Sequence, residues 1–311
     1  MRIVFWGARG AIPTPVVTHL GYGGNTPCVA VTTDSGELFV FDAGSGIRGL
    51  SEELVTTGGT APVIASILLS HFHLDHLIGL PFFVPLHFPN SHVSFFSLRH
   101  PERSLQEILE NHMGKPYFPV AFSEMAGQRA FYEVGEQCFE MGSCRITTRK
   151  LNHPQGCLGF RLEGDGRAIT YATDHEPGSD PFDRNLLELA LDTDVLILDA
   201  QYTGDEYERK YRGWGHGTWE NAVELARAAR AKQLVLFHHD PSRTDEELNE
   251  IERKAQELFP VVCAAYEGLE IELPSFQATP RFQGEPGLAA PFASEPRTPM
   301  FRAPEVPRLI S

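Results

Sequence analysis

The chain has 311 residues, 42% of them hydrophobic and 22% charged, the make-up of a globular protein with room for one large domain or two modest ones, which excludes a fibrous or wholly disordered chain. Its formal net charge of −15 argues against a broad electrostatic grip on a polyanion, so no large nucleic acid is expected as a partner, while a local basic pocket stays open. No stretch reaches the roughly 18 to 20 apolar residues of a membrane span, and Met1 to Trp6 is too short and strand-like for a signal peptide, so no membrane association and a cytoplasmic location are expected.

From the N-terminus to about residue 84, short β-rich runs are broken by glycine: Ile3 to Trp6, Cys28 to Thr33, Leu38 to Phe41 and Ile64 to Leu69. From Pro85 to Arg129 the composition turns to Pro, Phe and His, with one helical stretch near Pro101 to Met113, and the segment reads as an inserted cap. Strand signals resume at Cys144 to Arg149, Leu158 to Leu162, Ala168 to Ala172, Val195 to Leu198 and Leu234 to Phe237. Trp219 to Ala231 places Ala222, Val223, Leu225, Ala226 and Ala229 on one helical face, and Thr244 with Glu247 forms a capping box for a last helix. Strands first, then strand and helix mixed, predict an αββα sandwich over residues 1–274. The tail 275–311, rich in Pro and Ala without periodicity, reads as an irregular extension. The five cysteines, Cys28, Cys138, Cys144, Cys157 and Cys263, form no Cys-x-x-Cys pair and read as reduced thiols.

The histidines carry the chemistry. The apolar run Ala65 to Leu69 ends in Ser70-His71-Phe72-His73-Leu74-Asp75-His76, so a buried strand delivers four metal-ligand side chains to a sheet edge. Residues two apart in extended chain point the same way, which lets His71 and His73 share one metal while Asp75 and His76 face a second. A lone histidine here would be an ordinary loop residue, but four ligand types in six positions are not. Imidazole and carboxylate without thiolate suit zinc, with manganese or iron as alternatives, so two divalent ions are the expected cofactors. Further ligand types stand where later strands meet loops: His153, Asp174 and the pair His238-His239.

These motifs resemble the metallo-β-lactamase superfamily, and within it the branch of ribonuclease Z and related phosphodiesterases, over about residues 1 to 273. The resemblance implies a four-layer αββα metallo-β-lactamase sandwich in which His71, His73 and His153 hold one metal, Asp75, His76 and one of His238 or His239 the other, and Asp174 bridges. His239 is favoured, because His239-Asp240-Pro241-Ser242-Arg243-Thr244-Asp245 aligns without gaps with the ribonuclease Z pattern His-x-x-Ser-Arg-Tyr-Asp. Asp42, in Phe41-Asp42-Ala43-Gly44, is implied to support the histidine loop. Gly215-His216-Gly217-Thr218 is similar to the family's Gly-His-Ser-Thr segment, whose histidine is catalytic, and Asp199 stands where the family has a Glu that orients it.

Two cations can activate water for attack on a phosphoryl group, with Asp75 and Asp174 orienting it and His216, held by Asp199, protonating the departing alkoxide. Only 20 residues separate His153 from Asp174, where most ribonuclease Z enzymes insert a long tRNA-gripping arm. A small cyclic or nucleotide phosphodiester is therefore the expected substrate. Lactonase or thioesterase-type hydrolysis, ribonuclease Z-like RNA processing and a non-catalytic metal-stabilised nucleotide-binding module are the alternatives. Arg9 and Asn25 are candidate phosphate or base contacts, set against a plain Gly-Gly-Asn turn. Two readings of the cap are open: His112, Lys115, Tyr117 and Phe118 close over a base or form a plain apolar lid. Met113, Phe118 and Phe122 are alternatively the face of a homodimer, the assembly common in this branch.

Overall fold

Apolar runs punctuated by glycine become two β-sheets packed face to face. The computed structural model describes residues 1–59 and 61–274, together with the backbone of Arg308–Leu309. The first sheet holds β1 (Arg2–Gly7), β2 (Cys28–Thr32), β3 (Leu38–Phe41), β4 (Ile64–Leu68), β5 (His92–Leu98) and β6 (Gln128–Val134) in that spatial order. The second holds β7 (Gln137–Met141), β8 (Cys144–Leu151), β9 (Cys157–Gly164), β10 (Arg167–Ala172), β11 (Val195–Asp199), β12 (Gln233–Phe237) and β13 (Val262–Ala264), again in chain order, with the Arg308–Leu309 backbone beside β7. A last strand, β14 (Glu270–Glu272), returns to pair antiparallel with β1.

The strands read as nearly unbroken apolar runs because both of their faces are covered. In β2, Val29 and Val31 enter the core between the sheets, while Cys28 and Ala30 face an outer layer. The central core interleaves Phe5, Phe39, Phe41 and Phe96 with Phe139, Phe160, Tyr171 and Phe237 of the opposite sheet. Outside the first sheet lie α1 (Ile47–Gly58) and α2 (Leu105–His112), anchored by Ile47, Leu50, Leu105 and Leu109. Outside the second lie α3 (Asp180–Ala190), α5 (Trp219–Ala228) and α6 (Asp245–Leu258), after a short α4 (Gly204–Glu206) that continues into a π-turn over Tyr207–Tyr211. This is the αββα sandwich expected from the sequence. Among the described residues no helix is long and apolar enough to cross a membrane.

The cap needs correcting. Residues 85–129 are not one inserted segment, because β5 runs through them and pairs in parallel with β4 and β6 in the first sheet. The strand His92-Val93-Ser94-Phe95-Phe96-Ser97-Leu98 is buried on both faces, and its flanking Pro and His residues hid it. Only the turns around 74–88 and the stretch 99–127 with α2 lie outside the sheet. Met113 and Phe122, proposed for a dimer face, are fully buried in this chain's own outer core, where Phe118 also packs, edge-on to Phe82. Helices α1 and α3 went unread: α1 opens at Gly46 without a side-chain cap and carries Gly49 in its first turn. The tail 275–311 lies outside the described residues apart from that two-residue strand.

The crossovers decide where function can sit. The β3–α1–β4, β10–α3–β11 and β11–α4/α5–β12 connections join parallel strands, so the carboxyl ends of β3, β4, β10, β11 and β12 open toward one edge of the sandwich. Side chains presented by loops leaving such strand ends converge.

Candidate active site

Each of those strand ends contributes a polar residue. Past β4 come His71, His73, Asp75 and His76; the β8–β9 loop adds His153, the end of β10 adds Asp174, and the end of β12 adds His238. Asp174 stands among them: its Oδ2 lies 3.3 Å from His71 Nε2, 3.3 Å from His76 Nε2 and 3.6 Å from His153 Nε2, and its Oδ1 lies 3.2 Å from His238 Nε2. His73 Nδ1 approaches His153 Nε2 at 3.2 Å, and Asp75 Oδ2 lies 3.4 Å from His76 Nε2 and 3.3 Å from His238 Nε2. Among the described residues three groups offer ligand atoms within 4.8 Å of one another: the nest His71, His73, His153 and Asp174, the nest Asp75, His76 and His238, and a set of Asp174, His238, Asp199 and His216 that overlaps both.

Three strand ends turn into the nests through left-handed backbone: φ is 59° at Asp42, 56° at Asp174 and 59° at His238. Non-glycine residues rarely take that conformation, which the surrounding contacts must enforce. Those contacts are on the other side of each imidazole. His76 Nδ1 donates to Asp42 Oδ2 at 2.8 Å, and that same carboxylate, fully buried after β3, accepts from the Ser70 amide at 2.7 Å and the Tyr171 hydroxyl at 2.7 Å. His153 Nδ1 donates to the Gly215 carbonyl and His238 Nδ1 to Gln201 Oε1, both at 2.8 Å. Each bond fixes which ring nitrogen carries the proton and leaves Nε2 facing the nest.

The donor set fits divalent cations. His71 Nε2 and His76 Nε2 are buried without a hydrogen-bond partner, a condition proteins avoid unless an ion or water completes it. Burial drives the His71 imidazole toward its neutral, ligating form, well below its ordinary value, and the neighbouring His76 adds to this. Burial opposes ionisation of Asp75 and Asp174 too, but the imidazoles around them prevail and hold both well below the usual carboxylate range.

His216 borders this set, its ligand atom within 4.8 Å of those of Asp174 and His238. Its ring lies against His238, with centroids 4.9 Å apart and planes at 17°, and its Nδ1 bonds Asp199 Oδ2 at 2.8 Å. Burial works against the imidazolium, but Asp199 more than offsets it and the His216 pKa rises to about 9. Asp199 is aimed by its own backbone partners, the amides of Gln201 at 3.1 Å and Gly217 at 3.3 Å. An imidazole paired with a buried carboxylate thus faces the nest from one side.

Several sequence assignments change. His239, favoured as a ligand, points the other way: its Nε2 donates to the Ala265 carbonyl at 2.9 Å, its ring meets Tyr22 edge-on, and burial pushes its pKa down to about 3. The left-handed turn at residue 238 gives the inward position to His238. Arg9 is fully buried and donates to the carbonyls of Gly23, Asp240 and Arg243, so it ties loops together and has no face for a substrate. Asn25 is likewise engaged, with its amide on Glu267 at 2.9 Å and its carbonyl accepting from Ser45 at 2.9 Å. His112 turns inward and donates to the Leu77 carbonyl at 3.0 Å, propping the loop behind His76. Lys115 and Tyr117 lie on the exposed surface of the 114–117 turn.

Gln201, Ser70, Tyr171 and Glu176 were not read from the sequence. Glu176, two residues past Asp174 and buried, accepts from the amides of Gly213 at 2.6 Å and Gly215 at 2.7 Å and from the Tyr207 hydroxyl at 2.8 Å. It therefore fixes the loop whose carbonyl orients His153 and which leads into His216. Gly215 must be glycine: φ is 88°, and a Cβ would stand 2.3 Å from His153 Nδ1. The only early signal was the spacing Gly213-Trp214-Gly215 ahead of the histidine.

Comparison with known proteins agrees with this geometry. The profile described as the Beta-lactamase superfamily domain matches residues 38–239. Ribonuclease Z of Thermoplasma acidophilum is 25% identical over 293 residues, covering 79% of this chain and 88% of that protein, and ribonuclease Z of Bacillus subtilis is 25% identical over 317, covering 88% and 99%. Among solved structures, a diphosphatase of the PhnP family superposes with a TM-score of 0.65 at 20% identity, covering 88% of this chain and 98% of that one. The short form of human tRNase Z gives 0.61 at 20% identity, covering 88% and 100%.

Proposed function

The chain belongs to the beta-lactamase superfamily, and from that premise we propose that it is a two-metal phosphodiesterase acting on a small cyclic or nucleotide phosphodiester. Metal-dependent hydrolysis is the ground shared by this superfamily and by the His and Asp nests. His71, His73 and His153 would hold one ion, Asp75, His76 and His238 the other, with Asp174 between them. When bound, two divalent ions, zinc foremost, supply positive charge for the phosphoryl oxygens and acidify water enough for attack near neutral pH.

His216 carries the narrower reading. Hydrolysis of a phosphodiester breaks a P–O bond and expels an alkoxide, which needs a proton, and His216 is an imidazole whose pKa Asp199 raises and whose Nδ1 that carboxylate holds, leaving Nε2 as the donor beside the nest. Thioester hydrolysis on the same nest expels a thiolate, which has less use for such a donor. Asp75 and Asp174, kept ionised, are placed to orient the attacking water. In place of a gripping arm, β9 and β10 are joined by the two-residue turn Asp165-Gly166, which with the charge of −15 supports a small substrate over a folded RNA. The ribonuclease Z relatives favour RNA processing as the second reading.

The test is metal-loaded protein on a panel of 2′,3′- and 3′,5′-cyclic nucleotides, an activated diester and a precursor tRNA. Cleavage of the small diesters with tRNA untouched is expected. Cleavage of tRNA alone would establish the second reading, and no phosphodiester cleavage at all would overturn both.

A further inference from the structure

Between Asp199 and His216 the chain builds a feature that hydrolysis itself does not use. After the π-turn at Tyr207–Tyr211, an interruption of helix geometry often found at functional sites, the loop Arg212-Gly213-Trp214-Gly215 carries an indole that is 57% exposed. One exposed tryptophan is unremarkable by itself. This one is fixed: Glu176 bonds the amides on both sides of it, at Gly213 and Gly215, where φ is 87° and 88°.

Trp214 also ends a column of rings that starts in the nest. His238 lies against His216; His216 meets Tyr202 edge-on at 6.0 Å; Tyr202 stacks on Tyr211 at 4.1 Å and 1°; Tyr211 meets Trp214 edge-on at 5.3 Å. Lys210 Nζ donates to the Tyr211 hydroxyl at 3.0 Å and lies 4.6 Å from the ring centroid, setting a cation on this lip of an acidic protein. The column stands on the side of His216, which is the side of the departing alkoxide and its sugar. A planar group attached to that sugar meets an indole whose backbone is already held on both sides, so less loop entropy opposes stacking.

We propose that Trp214, backed by Tyr211, forms a stacking face for a nucleobase, with Lys210 complementing the nucleotide's negative charge, so that the substrate class is a phosphodiester bearing a base. The proposal rests on the phosphodiesterase reading and narrows it from sugar phosphates to nucleotides. Stacking on one aromatic side chain of this kind is worth about 5- to 100-fold in affinity.

The experiment compares wild type, Trp214→Leu and Trp214→Phe on a 2′,3′-cyclic nucleotide and on a ribose cyclic phosphate without a base. In Trp214→Leu the ratio of kcat/KM between the two substrates is expected to fall by about 5- to 100-fold, through KM, with most of it recovered in Trp214→Phe. An unchanged ratio, or Phe no better than Leu, overturns the platform. Calorimetric titration of the full-length protein with adenosine monophosphate and ribose 5-phosphate separates this outcome from failure of the phosphodiesterase reading. If neither diester is cleaved, that reading falls, and the platform stands only if adenosine monophosphate binds more tightly than ribose 5-phosphate and loses that advantage in Trp214→Leu.

Discussion

Asp42 accepts the Nδ1 proton of His76 at 2.8 Å while also receiving the Ser70 amide and hydroxyl and the Tyr171 hydroxyl. One buried carboxylate thus sets both the tautomer of His76 and the start of the loop that delivers His71. Asp42→Asn keeps the shape but offers a weaker acceptor, and loss of such an orienting group typically costs about 10- to 100-fold in metal affinity. Competition titration against a chromophoric chelator measures it; affinity equal to wild type would show that Asp42 does not tune the site.

His238 and His239 are adjacent yet face opposite ways, so their variants should separate cleanly. His238→Ala is expected to lower metal content from two ions toward one and to abolish most activity. His239→Ala should retain both ions and instead lose stability, on the order of 1–3 kcal/mol, because the Ala265 carbonyl is left unpaired in the interior. Elemental analysis with denaturant unfolding decides this, and the reverse pattern would restore His239 as the ligand.

The His216–Asp199 pair makes two linked predictions about protons. In the metal-free protein His216 should titrate near about 9, above its ordinary 6.5, and Asp199→Asn should bring it down. Because the folded value is the raised one, the folded chain binds more protons between those two values, so this pair's stabilisation is present below pH 6.5 and is lost as pH rises through about 9. NMR titration of the imidazole follows the first effect and denaturant midpoints across that window the second. In the metal-loaded enzyme, His216→Ala is expected to lower kcat on unactivated diesters by roughly 10²- to 10⁴-fold, with a smaller loss on an activated ester whose leaving group needs no proton.

Arg9 should behave as a structural residue. Three carbonyl contacts and a carboxylate at 3.7 Å, Asp245, surround a guanidinium that is otherwise sealed from water. Arg9→Ala is expected to cost on the order of 3 kcal/mol of stability while KM in the surviving folded protein stays near wild type. A raised KM with unchanged unfolding would return Arg9 to the substrate.

What could be read from the sequence was whatever depends on local pattern. Four ligand types within His71 to His76, and single ligand types at the ends of apolar runs at His153 and Asp174, state a site without any fold. The choice between His238 and His239 could not be read, because strand alternation fails at a left-handed residue and nothing local announces that φ reaches 59° at His238. Glu176 was silent for a different reason: its partners at Tyr207, Gly213 and Gly215 are 31 to 39 residues away, and a buried glutamate looks in sequence like any surface one. Arg9 failed in the opposite sense, since a glycine-flanked arginine resembles an anion contact until the loops that enclose it are known. Strand β5 was hidden by composition, its flanking Pro and His suggesting a loop while its own Val93, Phe95 and Phe96 carried the true signal.

Each of the left-handed turns at Asp42, Asp174 and His238 stores about 1–3 kcal/mol of backbone strain, which the packing of the sandwich around these strand ends must offset, so the shape of the site draws on the stability of the whole fold.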